Sequence, residues 1–180
     1  MTKKESTTRM KYIVLLIMTS FLSTFFGVGQ TKAPGKSNDV YPKDSFCVVQ
    51  TTLDDNPVIG SFNRAYKNYK GKANYPWCLT ISVALDLANL YEYGLPKDNE
   101  SAIANKLEDE LVTEIRKLTT AHYIGHLYND TFLDIYVYLD DPEKVQQYLQ
   151  TQINKEDLIR GFKYEINKDP AWTTIAGFMN

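Results

Sequence analysis

Residues 78–85 read CLTISVAL, and the alternation in this stretch decides the fold. Leu79, Ile81, Val83 and Leu85 fall on one side of an extended chain, with Cys78, Thr80, Ser82 and Ala84 on the other. Successive side chains of a strand point to opposite faces, so this is a half-buried strand. Outward from it, Tyr91 to Lys97 holds Gly94 and Pro96 and reads as a loop. Asp98 or Asn99 can then cap a helix, with Glu100 near its positive end. Ile103, Leu107, Leu111, Ile115 and Leu118 follow at intervals of four, four, four and three, which makes one apolar stripe.

His122 to Tyr128 and Thr131 to Leu139 flank Asn129-Asp130, two residues that tolerate positive φ, so a tight hairpin is predicted. Asp141-Pro142 is a helix start, with a capping carboxylate followed by proline at the first helical position. Val145, Tyr148, Leu149 and Ile153 then share one face. Phe162 to Asn167 reads as the last strand, with Phe162, Tyr164 and Ile166 inward. The order strand, helix, strand, strand, helix, strand specifies an α+β fold, a ferredoxin-like βαββαβ sandwich. Both helices should cover the face carrying Leu133, Ile135, Val137 and Leu139.

Upstream, Phe46 to Leu53 and Val58 to Asn63 read as an N-terminal β-hairpin around the turn Asp54-Asp55-Asn56-Pro57. Thr31 to Ser45 is polar, with Pro34, Gly35 and Pro42, so residues 30–45 are expected to be a flexible linker and 46–180 the folded domain. Asp169-Pro170 opens a short tail that carries Trp172 and Phe178.

The first 29 residues have a different character. Lys3, Lys4, Arg9 and Lys11 precede an uncharged stretch from Tyr12 to Thr31, whose apolar block is followed by Gly27 and Gly29. This is the pattern of a cleavable signal peptide and implies export to a periplasmic or extracellular location. The rival reading is a retained anchor, since about 20 apolar residues span a bilayer. Interspersed Ser and Thr residues favour cleavage, after which no stable membrane insertion is expected. Removing residues 1–29 leaves 16 basic against 21 acidic residues, a net charge of −5. That balance argues against nucleic acid as the main partner.

A set of residues carries a family resemblance. Tyr75-Pro76 precedes a strand, and Gly94-Leu95-Pro96 leads into a helix containing Leu107-Glu108-Asp109. Tyr123-Ile124-Gly125 begins a hairpin whose second strand ends Tyr136-Val137-Tyr138, and Asp140-Asp141-Pro142 opens the second helix. Phe162-Lys163-Tyr164 is followed by Lys168-Asp169-Pro170-Ala171-Trp172. This resembles the bacterial domain-of-unknown-function family numbered 695, over about Phe46 to Phe178. That family is similar in fold to a regulator that inhibits ribonuclease E, through the tail with Asp, Pro and Trp. The resemblance implies a ferredoxin-like domain and brings no catalytic residues with it. A fold of this kind hosts many functions, so function must be argued from a site.

No catalytic set, metal set or cofactor is assigned from the sequence. His122 and His126 are the only histidines; four residues of strand span about 13 Å, so they are expected on one face but too far apart for one ion. Asp54-Asp55, Glu108-Asp109-Glu110 and Asp140-Asp141 read as a turn, a solvated helix face and a helix cap. Two surfaces are candidates for binding an unknown protein or glycan partner. One is the stretch in which Arg64, Lys67, Lys70 and Lys72 alternate with Tyr66, Tyr69, Tyr75 and Trp77. The other is the sheet face carrying Tyr136 and Tyr138, unless the hairpin or tail folds over it. The reading is an exported binding or interaction module; the alternative is a small hydrolase-type envelope enzyme. Export permits a disulfide between Cys47 and Cys78, against the reading of two half-buried thiols on neighbouring strands.

Cleavage predicts a mature chain that begins near Gln30 and stays soluble without detergent. Intact mass of protein recovered from its own host tests this, and a full-length mass in the membrane fraction would show a retained anchor.

Overall fold

The structure is a computed structural model that describes residues 40–179. The expected signal peptide lies outside the described residues. The elements are β1 (Phe46–Leu53), β2 (Asn56–Asn63), β3 (Trp77–Ala84), α1 (Asp98–Leu118), β4 (Ala121–Asn129), β5 (Phe132–Leu139), α2 (Glu143–Ile153) and β6 (Phe162–Lys168). The six strands form one antiparallel sheet in the order β1-β2-β4-β5-β3-β6, so β1 and β6 are its edges. The architecture is α+β.

Local chemistry accounts for most of the boundaries. Asp54 and Asp55 both adopt positive φ, 49° and 68°. That is the signature of a two-residue hairpin turn whose twist matches its strands. The expected four-residue turn is therefore tightened, and Pro57 sits inside β2 opposite Thr52. The β4–β5 turn is displaced by one residue. Asp130 and Thr131, not Asn129 and Asp130, carry positive φ. A β-branched residue is uncommon there. Thr131 is held by two neighbouring segments: its carbonyl accepts from the Leu85 N–H at 3.0 Å, and its N–H donates to the Gly94 carbonyl at 3.3 Å. Tertiary bonding thus overrides the local preference.

Helix α1 begins after Lys97, with no side-chain cap from the expected Asp98 or Asn99. Asp98 and Glu100 nonetheless lie in its first turn, where the helix dipole favours negative charge. Glu100 is fully buried and is gripped by Arg160, Nε to Oε1 at 2.7 Å and Nη2 to Oε2 at 2.6 Å. The Arg160 hydrogen bonds hold its carboxyl below the usual carboxylate range. At α2, the Asp141 side chain accepts from the Glu143 N–H at 3.0 Å, the cap that Asp141-Pro142 implies.

Two cores flank the sheet. On one face, Leu79, Ile81, Ile135 and Val137 pack beneath Leu111 and Ile115 of α1 and Val145 and Leu149 of α2. On the other, Phe62, Ile124, Leu127 and Tyr138 lie beneath the tail residues Trp172, Ile175 and Met179. The two helices cover the inner strands on their face. The outer hairpin keeps Phe46 and Val48 of β1 exposed.

One expectation is corrected. Cys47 and Cys78 are both free thiols. They lie on β1 and β3, with β2, β4 and β5 between them. Four inter-strand steps place them roughly 19 Å apart, far beyond disulfide reach of about 7 Å between Cα atoms. Residues 40–45 are tied to the domain. The Ser45 N–H donates to Asn63 Oδ1 at 2.9 Å, Asn63 Nδ2 donates to Asp44 at 2.7 Å, and Tyr69 donates to the Val40 carbonyl at 2.9 Å. Residues 40–45 of the expected linker thus contact β2 and the segment after it.

Leu111 is buried between α1 and the sheet. Leu111→Ala should cost about 2–5 kcal/mol in a urea melt. An unchanged melt would show that this face of α1 does not carry the core.

Candidate functional site

The site is built around one irregularity in β4. Tyr123 pairs with Val137 and Gly125 pairs with Tyr136, so one extra residue, Ile124, is inserted opposite consecutive positions of β5. A bulge of this kind breaks the two-residue period of side-chain direction. His122 therefore points to the tail side of the sheet, opposite Tyr138, and His126 points to the helix side, opposite Ile135. The expectation that both histidines share a face is corrected. Gly125 has φ of 148°, and a Cβ there would lie 2.1 Å from the Ser61 carbonyl oxygen. Only glycine allows β2 to approach at this point.

On the helix side, His126 meets α1. Its Nδ1 lies 2.8 Å from Glu108 Oε2, and Tyr123 donates to Glu108 Oε1 at 2.7 Å. Glu108 is 4% exposed, not the solvated helix residue its acidic neighbours suggest. An ionised carboxylate only accepts hydrogen bonds, so Nδ1 carries a hydrogen, and in the neutral ring Nε2 is the acceptor nitrogen. Burial and the Glu108 charge push the Tyr123 hydroxyl above its ordinary range, so it remains a donor. Burial does the same to Tyr128. Tyr128 donates to Asn105 Oδ1 at 2.7 Å, and the Asn105 amide hydrogens have no partner among the described residues.

His126, Tyr128 and Asn105 line a cavity of about 390 Å³ between α1, the β1–β2–β4 strands and the loop before α1, with Glu108 and Tyr123 behind its wall. Its apolar wall includes Val48, Ile59, Leu95 and Pro96. Its lip is formed by Tyr91 and Tyr93, stacked at 5.4 Å with 11° between planes, 46% and 53% exposed. The loop is closed by bonds from Tyr91 N–H to the Leu95 carbonyl and from Gly94 N–H to the Tyr91 carbonyl, both 2.9 Å. An apolar concavity with a few convergent polar groups is the usual form of a ligand site.

The tail side holds a closed aromatic cluster. His122 is fully buried, with Tyr75 at 4.0 Å, Tyr41 at 5.0 Å and Tyr66 and Tyr69 at 5.3 Å between ring centres. Its Nδ1 meets the Tyr66 hydroxyl at 3.0 Å, and its Nε2 has no partner among the described residues. Burial, reinforced by Arg116, lowers the His122 pKa to about 4, so the ring is neutral at pH 7. The tail is fixed by Asp169. Its carboxylate accepts from Tyr138 at 2.7 Å and from both the backbone N–H and the hydroxyl of Thr173 and of Thr174 at 2.9 Å. Burial alone would raise the Asp169 pKa; these bonds outweigh it and hold the carboxyl well below its usual range. Trp172, at φ of 60°, stacks on Tyr138 at 4.0 Å and donates to the Tyr75 carbonyl at 3.0 Å.

This arrangement separates the residues singled out by sequence. Tyr136 and Tyr138 are buried under Phe178 and Trp172, so the sheet face they were expected to offer is covered. Tyr66, Tyr69 and Tyr75 turn inward onto His122 and Trp172, while Lys67 and Lys70 stay exposed. Lys72 lies over Trp172, Lys168 lies over Trp77, and Arg64 is half-buried. Aromatic and cationic groups of this stretch thus do not form one surface. The groove with Tyr91, Tyr93, Glu108 and His126 was not expected from sequence. Its one local signal is a glutamate four residues from Ala104 and three from Leu111, on the side of α1 that turns inward. Among the described residues, no group of three or more His, Cys, Asp and Glu is placed to hold a metal, and no helix is long and apolar enough to cross a membrane.

Residues 44–179 match the model of a family described as a family of unknown function (DUF695), and the chain belongs to that family. No curated protein and no solved structure matches it.

Two buried groups of the tail side, His122 and Asp169, set an acid profile. A folded His pKa lowered from 6.5 to about 4 means that the unfolded chain takes up the proton first. Stability is then full above about pH 6.5 and falls as the pH drops toward about 4. Asp169, also lowered, loses its contribution only below its unfolded value of 3.8. In urea melts between pH 7.5 and pH 3, His122→Phe should flatten the upper window and Asp169→Asn the lower. A wild-type slope between pH 6.5 and 4 in His122→Phe would remove His122 from the account.

Proposed function

We propose that this DUF695 member is an exported ligand-binding module on a ferredoxin-like core, with its site in the groove beside α1. The order β6-β3-β5-β4, with α1 between β3 and β4 and α2 between β5 and β6, supports the ferredoxin-like reading. The hairpin β1–β2 extends that core at the β4 edge. The basic start and uncharged stretch of residues 1–29 support export.

The observation that carries the binding reading is the groove itself. The helix layer stops short of the hairpin, leaving an apolar shelf with Val48 65% exposed beside the stacked pair Tyr91–Tyr93. The polar groups of the floor, Asn105 and His126, are fixed from behind by Tyr128 and Glu108. Such a site suits a ligand with one flat apolar face, set against the tyrosines, and polar groups directed inward. An aromatic side chain of a peptide and a pyranose ring both present that face.

The test uses two probes, 4-nitrophenol for the aryl arm and cellobiose for the sugar arm. Binding of either should shift the NMR signals of Tyr91, Tyr93 and His126, and the double change Tyr91→Ala with Tyr93→Ala should weaken it about 10-fold or more without altering the melt. Which probe binds decides the ligand chemistry. Neither probe binding, or shifts confined to the Lys67–Lys70 segment, would move the site elsewhere.

A further inference from the structure

We propose that the same groove performs acyl transfer on small esters, with Ser61 as nucleophile, His126 as general base and acid, and Asn105 as donor to the oxyanion. The proposal rests on the groove being the ligand site. Its first support is register. Ser61 of β2 is the direct antiparallel partner of His126 of β4. Direct partners project to one face with Cβ atoms about 4.5–5.5 Å apart, so Ser61 and His126 stand side by side on the helix face of the sheet. Both residues line the cavity.

Its second support is the positioning of the base. Glu108, held on α1 and almost fully buried, takes the Nδ1 hydrogen of His126 at 2.8 Å and is itself fixed by Tyr123 at 2.7 Å. This leaves Nε2 unprotonated in the neutral ring, the tautomer a general base requires. Glu108 acts through His126 and is a positioning residue. The third support is Asn105. Its Oδ1 is taken by Tyr128 at 2.7 Å, and Asn105 lines the same cavity, so its amide N–H groups are the donors it has to offer there. An amide donor fixed before reaction is the kind of group that stabilises a developing oxyanion. Apart from tyrosines, His126 is the one titratable residue in the lining, so the cavity favours an uncharged acyl or aryl ester.

The steps balance. Ser61 Oγ forms a bond to the ester carbonyl carbon, its proton passes to His126 Nε2, and the carbonyl π pair moves to the oxygen facing Asn105. Collapse expels the alcohol oxygen, which takes the proton from Nε2. Water then repeats the sequence on the acyl-serine, releasing the acid and restoring the Ser61 hydroxyl.

The test uses the full chain with two reagents, 4-nitrophenyl butyrate and an alkyl fluorophosphonate. Attack of Ser61 Oγ on phosphorus displaces fluoride and leaves a stable adduct that peptide mass spectrometry can place. The expected result is an adduct on Ser61, absent in Ser61→Ala, and formed about 10²-fold or more slowly in His126→Ala. Nitrophenol release should fall in parallel. Glu108→Gln can donate to Nδ1 and so favours the opposite tautomer. Its melt should show a folded protein, and the rise of labelling rate with pH, which reports an unprotonated Nε2, should be lost. If 4-nitrophenol binds the groove but Ser61 takes no adduct, or His126→Ala labels at the wild-type rate, the chemistry is overturned and the binding site stands. If neither 4-nitrophenol nor cellobiose binds the groove and no adduct forms, both fall.

Discussion

One inserted residue in β4 controls the arrangement of both faces of the sheet. Were these same residues a regular strand with no bulge, a period of two would place His122 and His126 on the same face, and one of the two sites would lose its imidazole. With the bulge, one histidine is sealed among tyrosines and the other is held by a carboxylate at the rim of a groove. The insertion is possible because Gly125 has no side chain to meet the Ser61 carbonyl. The same close approach sets the β2–β4 register that brings Ser61 opposite His126. Backbone geometry, more than any single contact, therefore decides which chemistry appears on which side.

Three buried carboxylates then lock separate parts of the chain to that frame. Glu100 ties the start of α1 to Arg160, just before β6. Glu108 ties the middle of α1 to Tyr123 and His126 of β4. Asp169 ties the tail to Tyr138 of β5. Each is nearly or fully buried, and each is bonded through both oxygens. Burying a charge is costly unless it is paired and bonded, so removing any one partner leaves an expensive group behind. These bonds contribute less to net stability than to fixing where α1, β6 and the tail sit.

Much of the scaffold was legible because it rests on local periodicity. The alternation of residues 78–85 and 132–139, the spacing of Leu111 and Ile115, and the Asp141-Pro142 start all appear where the chain alone places them. The misreadings share a cause: each needed knowledge of a residue distant in sequence. The strand order that separates Cys47 from Cys78 is set by β2, β4 and β5 passing between them. Glu108 looked solvated because its neighbours Asp109 and Glu110 are exposed, while its partners lie 15 and 18 residues further on. Tyr136 and Tyr138 looked available because the tail that covers them is held by a side-chain network with no periodic signature. The groove was least visible of all, since β1, β2, α1 and the Tyr91–Pro96 loop each supply part of it.

The two edges of the sheet are chemically unequal. Strand β6 alternates charge along its length, with Lys163, Glu165 and Lys168, and charged edges resist pairing with a second chain. Strand β1 reads FCVVQTTL, eight residues with no charge and no proline, and pairs on one side only. Among the described residues, β1 is therefore the edge better suited to edge-to-edge association. Two copies meeting there in antiparallel fashion would form one continuous sheet about a two-fold axis and would turn only β6 outward at each end. In such a pair both remaining edges would be charged β6 strands, which disfavours further edge-to-edge growth.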